Sequence, residues 1–323
     1  MIYGYSETLK KNVSKLGFGC WGIGGSTLRM PGYGSIDRVD SLRAIRRAVH
    51  EGINFFDTSP IYGEGESELL LGKALGGDRS EVTLATKVGK LPGGGFDFST
   101  NTIRNSVHMS LKRLNTDYID ILQLHDPIPN GQSCTSELFS TLEELRDSGV
   151  VRYFGVSVKN PADAETFARS PFRFIQLNFN LIDQRAIDLD VFETCRRNDI
   201  EVITRTPLAF GFLSNRFASQ SSQIFPSDDH RSRWSSAQIA KWVDSPNKFR
   251  TLTEGRDFSI VTLALKFAIY QKGTICTLSG MMNADEVSLN ASYISDKNEL
   301  DSKDVIEARR IYRINTFFYT KDI

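Results

Sequence analysis

The chain has 323 residues, with 39 Lys or Arg and 39 Asp or Glu, so its formal net charge at neutral pH is zero. A chain without net charge has no overall field to attract nucleic acid or an acidic membrane surface, and we expect a small-molecule partner. No stretch approaches the roughly 18 apolar residues of a membrane span, and no apolar segment of an export signal follows the N-terminus. The four cysteines form no CxxC pair, which favours a reducing cytoplasm and neither a zinc site nor a disulfide framework.

Short apolar runs alternate with longer amphipathic stretches along most of the chain, which is typical of repeated βα units on a parallel sheet. The predicted strands cover 16–20, 54–57, 82–87, 119–125, 153–157, 174–177, 201–205 and 274–278. The predicted helices cover 37–51, 66–75, 100–114, 136–148, 161–168, 189–198 and 259–270. We therefore predict an α/β fold in which the whole chain, 1–323, forms a single-domain (β/α)8 TIM barrel, because such barrels run to about 250 residues or more.

A long polar insertion interrupts the pattern between the seventh strand and its helix, at about 214–248. Loops of this length in compact domains are usually lids or binding loops. We expect the insertion to contain a helix at about 236–243 and to cover a bound ligand.

Residues 17–22 match the GxGxxG pattern of dinucleotide-binding folds and follow a predicted strand. That pattern requires its third glycine to open a helix whose N-terminus holds the pyrophosphate. Here a run of glycines as far as Gly34 keeps the chain in a loop until about Ile36. The pattern therefore predicts tight turns at a barrel mouth and no Rossmann domain.

Six of the apolar runs end in a polar residue that chemistry can use. Closed parallel barrels place their active sites at the carboxyl ends of the strands, so we expect these side chains to share one pocket. They are Asp57, Lys87, His125, Ser157, Gln176 and Arg205.

Asp57 is followed by Tyr62 on a short loop that can fold back over the same pocket. Tyrosine has an ordinary pKa of about 10 and is a poor acid unless a nearby cation stabilises its phenolate. Lys87 is the expected source of that charge, and Asp57 would keep it oriented. An isolated Lys, Asp or His would more often be structural, but four converging groups favour catalysis, with His125 donating to a substrate oxygen. The dispersed histidines lack ligand spacing, so we predict no metal.

Together these residues closely resemble the aldo-keto reductase family, with some similarity to its bacterial members, from about Leu16 to Asn290. The specific matches are NFFDTSPIYG at 54–63, SE at 67–68, LG at 71–72, ATK at 85–87, SLKRL at 110–114, DYID at 117–120, GVS at 155–157 and PLA at 207–209. The resemblance implies a (β/α)8 barrel that uses a nicotinamide cofactor and interconverts a carbonyl and an alcohol. It also implies a catalytic tetrad of Asp57, Tyr62, Lys87 and His125, with Tyr62 as general acid or base.

The resemblance further implies a set of cofactor-binding and substrate-binding positions. Two depart from the family pattern: Val158 stands where an Asn is usual, and Arg205 replaces an aromatic residue that stacks on the nicotinamide ring. Trp21, Tyr62 and His125 are the implied substrate residues, with the loops 24–33 and 127–136. The implied cofactor residues are Gly19, Trp21, Asp57, Ser157, Gln176, Arg205, Pro207, Leu208, Gly211, Leu213, Arg216, Gly280, Met282, Glu286 and Asn290.

The cofactor is expected to be NAD(P)H, and the sequence favours NADH over NADPH. Relatives usually place Arg or Lys at the Met282 position and Gln at the Glu286 position, close to the 2′-phosphate and adenosine. A thioether cannot pair with phosphate, and a carboxylate nearby would repel it. Arg216 in the insertion could supply the missing charge.

The stretch 93–99 and the segment 280–283 are similar to sugar dehydrogenases of the L-galactose dehydrogenase type, which favours a sugar or polyol substrate. Two alternatives remain open at the level of sequence. Lys87 could form a Schiff base with a carbonyl, as in aldolase barrels. The chain could also be a regulatory subunit that binds nicotinamide without turnover, since the family includes channel-associated subunits.

Overall fold

The computed structural model describes residues 1–127, 135–169, 171–217, 225–256, 259–295 and 300–319. Its centre is a closed barrel of eight parallel strands in which each strand pairs with the next along the chain and the last pairs with the first. An antiparallel hairpin of β1 (Tyr3–Ser6) and β2 (Lys11–Ser14) precedes the barrel. The barrel strands are β3 (Leu16–Gly19), β4 (Phe55–Asp57), β5 (Thr83–Val88), β6 (Ile119–His125), β7 (Val151–Ser157), β8 (Phe172–Asn178), β9 (Glu201–Arg205) and β10 (Thr274–Gly280). The predicted (β/α)8 fold is confirmed.

Helices connect the strands and pack around the barrel. The first seven are α1 (Arg38–His50), α2 (Glu66–Leu75), α3 (Thr100–Leu114), α4 (Ser136–Asp147), α5 (Ala164–Phe167), α6 (Arg185–Asp188) and α7 (Val191–Arg197). The last five are α8 (Ser236–Val243), α9 (Ser245–Lys248), α10 (Ile260–Ile269), α11 (Ala284–Tyr293) and α12 (Ser302–Ile314). Within the described residues, no helix has the length and apolar character needed to cross a bilayer.

Local sequence explains these elements. The β6 strand is buried along its whole length, as expected for a parallel strand covered on both faces. The α1 helix buries one face, including Ala44, Ile45 and Ala48, and begins where the Asp37 carboxylate accepts hydrogen bonds from two backbone amides of the first turn. Gly52, with a φ of 84°, provides the left-handed turn that follows this helix.

The N-terminal hairpin covers the end of the barrel opposite to the carboxyl ends of the strands. The Glu201 carboxylate, at the start of β9, accepts hydrogen bonds from the Ser6 hydroxyl (2.6 Å) and the Glu7 amide (3.0 Å). Lys15 Nζ donates to the carbonyl of Thr274 at the start of β10 (2.6 Å). Side chains in the barrel interior, among them Phe55, fill the space above the hairpin. These contacts leave the carboxyl ends of the strands as the open end of the barrel.

The structure differs from the sequence predictions mainly at the ends of the chain. The hairpin, α11 and α12 were not among the predicted elements. The predicted helix at 189–198 corresponds to α7, and the single turn α6 before it was not predicted. The predicted helix at 161–168 begins as a 3-10 turn, Pro161–Asp163, before α5. The insertion contains the predicted helix, α8. The GxGxxG segment leads from β3 into a 3-10 turn, Gly22–Gly24. The sequence predicted such a tight turn at this point, in place of the helix of a Rossmann domain.

Candidate active site

Asp57, Lys87 and His125 meet at the carboxyl ends of the neighbouring strands β4, β5 and β6. The parallel register sets the height of each residue along the barrel axis, with Asp57 aligned to Ala85 on β5 and His125 aligned to Ser157 on β7. Lys87 Nζ lies 4.9 Å from the centroid of the Tyr62 ring, and the Tyr62 and His125 ring centroids are 6.1 Å apart in an edge-to-face arrangement. The structure thus brings together the four residues that the sequence predicted to converge.

Lys87 and Asp57 form a buried ion pair that the surrounding groups complete. Lys87 Nζ donates to Asp57 Oδ1 (2.5 Å) and to the Thr58 carbonyl (2.8 Å), and the Lys87 side chain has no exposed surface. Asp57 Oδ2 accepts hydrogen bonds from the side-chain amides of Gln123 (2.8 Å) and Gln176 (2.7 Å). A buried charge needs such compensation, because its desolvation otherwise costs several kcal/mol, on the order of the pair's own attraction. The two glutamines therefore hold the Asp57 carboxylate in place, and the carboxylate in turn holds the Lys87 ammonium.

The pKa of Lys87 is raised above its ordinary value. Burial acts to lower it, but the charge of Asp57 and the proximity of Tyr62 outweigh burial. Lys87 therefore stays protonated at neutral pH. A charged, fully bonded ammonium is a poor nucleophile, so the arrangement disfavours the alternative in which Lys87 attacks a carbonyl.

Tyr62 differs from expectation in its net pKa. Burial raises the pKa of the Tyr62 phenol, and this effect exceeds the lowering by the Lys87 ammonium, which acts both through its charge and through a hydrogen bond. The sequence argument identified the cation correctly but neglected desolvation, which disfavours the phenolate of a partly buried tyrosine. Tyr62 is therefore a protonated donor at neutral pH in this structure.

The loop that carries Tyr62 depends on two close backbone approaches. A side chain at Gly63 would place its Cβ 1.9 Å from the carbonyl oxygen of Gly24, and Gly63 has a φ of 59°. A Cβ at Gly24 would lie 2.8 Å from the backbone carbon of Tyr62. Only glycine fits such contacts. The loops that follow β3 and β4 therefore pack closely against each other and hold Tyr62 over the pocket.

His125 is neutral in this site. Burial lowers its pKa well below the ordinary value, and the positive charges of Lys87, Lys90 and Arg205 act in the same direction. Its Nδ1 lies 3.2 Å from the hydroxyl of Ser59. When the Ser59 hydroxyl donates to Nδ1, the Nε2 atom carries the proton and can donate to a ligand.

The opposite side of the mouth contains the predicted nicotinamide end of the cofactor site. Ser157 donates to Gln176 Oε1 (3.3 Å), so these two predicted residues are in contact. Arg205 donates to the side-chain oxygen of Asn178 (2.5 Å) and to the Val158 carbonyl (3.1 Å). The guanidinium is therefore held as a rigid planar group. Sequence reasoning missed Asn178, although it follows Gln176 by two positions on β8 and so points to the same face.

The carboxyl end of β10 leads into the predicted adenosine end. A Cβ at Gly280 would meet no atom of the described residues within 4 Å, which leaves open space beside the backbone. The Glu286 carboxylate accepts a hydrogen bond from the Met282 amide (2.8 Å). Asn283 caps the first turn of α11 by accepting from the Glu286 amide (2.9 Å), and Asn290 donates to Ser279 (3.2 Å). A carboxylate thus lies at the positive N-terminus of this helix.

The remaining predicted cofactor residues lie around the same face. Gly19 ends β3 next to β10, and Pro207 and Leu208 follow β9. The Leu213 side chain is completely buried in the hydrophobic core, so only its backbone could meet a ligand. Gly211 adopts a left-handed conformation, and Arg216 is exposed in the 3-10 turn Asn215–Phe217.

The insertion contacts the loop that follows β3. The His230 amide donates to the Gly32 carbonyl (2.8 Å), and the Ser26 hydroxyl donates to the Asp228 carbonyl (2.7 Å). The His230 ring lies in edge contact with Trp21, at 4.4 Å between centroids, and burial lowers its pKa to about 4. Residues 218–224 of the insertion, and 128–134 of the predicted substrate loop, lie outside the described residues.

Comparisons with known proteins agree with the barrel fold. The model of the aldo/keto reductase family matches residues 15–313. The chain is 30% identical to L-galactose dehydrogenase of Arabidopsis thaliana, over 89% of this chain and 86% of that protein. It is 29% identical to the NADH-specific methylglyoxal reductase of Escherichia coli (strain K12), over 88% and 90%. Its fold is similar to the solved glycerol dehydrogenase of Gluconobacter oxydans, with a TM-score of 0.81, 25% identity and coverage of 98% and 97%.

Proposed function

Because the chain belongs to the aldo/keto reductase family and is an NAD(P)-dependent oxidoreductase of carbonyls and alcohols, we propose that its turnover depends on four residues. They are Asp57, Tyr62, Lys87 and His125. The observation that carries this proposal is the buried contact of Lys87 with Asp57 beside the Tyr62 ring. A purely structural ion pair would not require a tyrosine and a neutral histidine at the same open end of the barrel. A regulatory subunit without turnover would have no use for this proton donor.

The mechanism follows from the charges that these residues carry. In reduction, negative charge develops on the carbonyl oxygen, and the Tyr62 hydroxyl donates its proton there. The neutral His125 donates a second hydrogen bond to the same oxygen and stabilises the charge before the proton arrives. Lys87 stabilises the phenolate that Tyr62 becomes, and Asp57 holds Lys87 in place. In oxidation, the Tyr62 phenolate accepts the proton of the alcohol.

The residues opposite Tyr62 fit a nicotinamide dinucleotide. When bound, the nicotinamide supplies or accepts the hydride. Ser157 and Gln176 would hold its carboxamide, and the planar Arg205 would stack on the ring in place of the usual aromatic side chain. The bonds from Arg205 to Asn178 and to the Val158 carbonyl support this role, because they fix the plane of the guanidinium. The open space at Gly280 would admit the backbone of the cofactor.

For the choice of cofactor, we propose that NADH binds better than NADPH. The Glu286 carboxylate bonds to the Met282 amide at the N-terminus of α11. Helix N-termini commonly bind phosphate groups, and a carboxylate already at this position competes with a 2′-phosphate and repels it. The E. coli relative is named as specific for NADH, which agrees with this proposal.

The substrate that we propose is a sugar-like or polyol-like carbonyl compound or the corresponding alcohol. Support comes from relatives named for L-galactose and glycerol. We also propose that the chain 1–323 forms one barrel domain and works in a reducing compartment such as the cytoplasm. Cys20, Cys195 and Cys276 are buried and unpaired, as expected there.

The decisive experiment is a panel of aldoses, small aldehydes, ketones and polyols, each assayed with NADH and NADPH by absorbance at 340 nm. We expect turnover of at least one carbonyl with one cofactor, and the reverse reaction with the matching alcohol. Borohydride trapping provides the contrast: a covalent adduct on Lys87 without a change of cofactor absorbance would contradict the proposed function.

A further inference from the structure

An apolar surface lies at the barrel mouth, on the side of β3 and β5. Leu28 is fully exposed, and Leu91 and Phe96 are more than one-third exposed. With the partly buried Met30, these residues form what we call the apolar lip. It is made by two loops, one that follows β3 and one that follows β5. Single exposed apolar residues are common on protein surfaces, but a cluster of them beside a site commonly marks a binding surface.

The two loops of the apolar lip contact each other. The Gly93 amide approaches the sulfur of Met30 at 3.5 Å, and a Cβ at Gly93 would lie 3.8 Å from the Arg29 side chain. Phe96 stacks on Phe98 with the ring planes 7° from parallel. The two loops that make the lip are therefore adjacent.

Fixed contacts hold the first loop in place, although Leu28 points into solvent. The Ser26 hydroxyl accepts hydrogen bonds from the Gly32 and Gly34 amides, both at 2.9 Å. Thr27 and Arg29, on either side of Leu28, both bond to the Glu64 carboxylate at 2.6 Å. The exposure of Leu28 is therefore imposed by an ordered loop.

The same contacts connect the lip to the catalytic groups. Glu64 lies two residues after Tyr62, so the Leu28 side of the lip rests on the loop that carries the proton donor. On the other side, the Lys90 ammonium lies 6.0 Å from the Phe96 ring and bonds to Asp126 (2.5 Å), the residue after His125. The lip thus flanks the position where a substrate carbonyl would meet Tyr62 and His125.

The barrel order decides which ligand can reach this surface. β4 and β5 lie diametrically opposite β8 and β9 in the closed barrel. A cofactor held by Gln176 and Arg205 occupies the β8 and β9 side. The part of a substrate that extends beyond its reacting carbonyl can therefore lie on the lip without meeting the cofactor.

We propose that the apolar lip is an accessory subsite for an apolar substituent of the substrate. The substrate would be an amphiphilic carbonyl compound, with its oxygen at Tyr62 and His125 and its apolar part on Leu28 and Phe96. Lys90 and Asp126, between these two ends, can bond to hydroxyl or oxo groups next to the carbonyl. This proposal rests on the proposed carbonyl reductase function, and it adds an apolar substituent to the sugar-like or polyol-like substrate proposed above.

The test compares unbranched aldehydes from propanal to octanal, whose reacting group is constant. We expect kcat/KM to rise with chain length, by about twofold for each half-buried methylene group. In the double variant Leu28→Ser/Phe96→Ser, the ratio of kcat/KM for octanal to that for propanal should fall about tenfold. The control is Met109→Ser/Leu189→Ser, which removes two similarly exposed apolar side chains outside the mouth and should leave that ratio unchanged.

The outcomes separate the two proposals. If no aldehyde, ketone, sugar or polyol is turned over with either cofactor, the proposed function fails. If propanal reacts but kcat/KM does not rise with chain length, or rises equally in the double variant, the lip proposal alone is wrong. Light scattering examines another occupant: if the double variant dissociates a dimer without changing the chain-length series, the lip binds a second copy of the chain. Thermal unfolding of each variant verifies that the fold is retained.

Discussion

The two halves of the barrel mouth differ in how closely their residues match the family pattern. On the β4 to β6 side, Asp57, Lys87 and His125 occupy buried strand ends, and fixed hydrogen bonds satisfy the charged pair. On the β7 to β10 side, Arg205 and Met282 replace residues that the family pattern would place there. The first half has little freedom to vary, because removing one member of a buried charged pair leaves the other uncompensated. The second half is the proposed cofactor site, where we expect substitutions to alter binding preference rather than chemistry.

This difference predicts that changes in the first half abolish turnover and changes in the second half alter binding. The first case is Tyr62→Phe, which removes the transferable proton and keeps the ring. We expect turnover to fall by about 100-fold to 10,000-fold, the usual contribution of general acid-base catalysis. Fluorescence titration should give a cofactor dissociation constant close to that of the unmodified protein. Wild-type rates in this variant would exclude Tyr62 from the mechanism.

Lys87→Met should reduce turnover by about 100-fold and change its pH dependence. Carbonyl reduction slows as the pH rises through the pKa of Tyr62, because the phenolate cannot donate a proton. The ammonium of Lys87 lowers that pKa against the larger effect of burial. Its removal should therefore raise the pKa of Tyr62 and move the alkaline limb of the rate profile to higher pH.

Lys87→Arg is the matched control, because it retains the positive charge beside Asp57. Its alkaline limb should lie closer to that of the unmodified protein. If the limb has the same position in Lys87→Met and in the unmodified protein, the proposed coupling between Lys87 and Tyr62 is wrong.

In the second half, Arg205→Met should weaken cofactor binding by about tenfold or more, the usual cost of losing a hydrogen-bonded charged group of this kind. The rate at saturating cofactor should change much less. Arg205→Lys keeps the charge but loses the planar group, and should therefore bind nearly as weakly as Arg205→Met. Dissociation constants from fluorescence titration measure both effects. Full affinity in Arg205→Lys would indicate that charge alone matters.

The smallest expected effect concerns cofactor preference. Met282→Arg combined with Glu286→Gln should tighten NADPH binding about tenfold, which corresponds to about 1.4 kcal/mol. NADH binding should change little, because it lacks the 2′-phosphate. NADPH binding that is already tenfold tighter than NADH binding in the unmodified protein would overturn the NADH preference and direct attention to Arg216.

The sequence predicted much of the first half because the apolar runs and the polar residues that end them are both local features of the sequence. Apolar runs that end in Asp57, Lys87 and His125 define strands and their final residues, and parallel pairing brings such ends together. The second half was less predictable. Asn178 acquires its contact with Arg205 only because β8 and β9 are neighbours in the barrel, and periodicity within one strand does not report that contact.

The sequence by itself determined the eight repeated units and the polar residues that end their strands, since alternating hydrophobicity and strand-end residues are encoded locally. Tertiary structure decided what depends on burial and on distant contacts. The N-terminal hairpin closes the barrel base through Glu201. The pKa of Tyr62 rises despite the adjacent ammonium, because partial burial reduces the hydration of the phenolate. Desolvation depends on every neighbour at once, and no single stretch of sequence contains it.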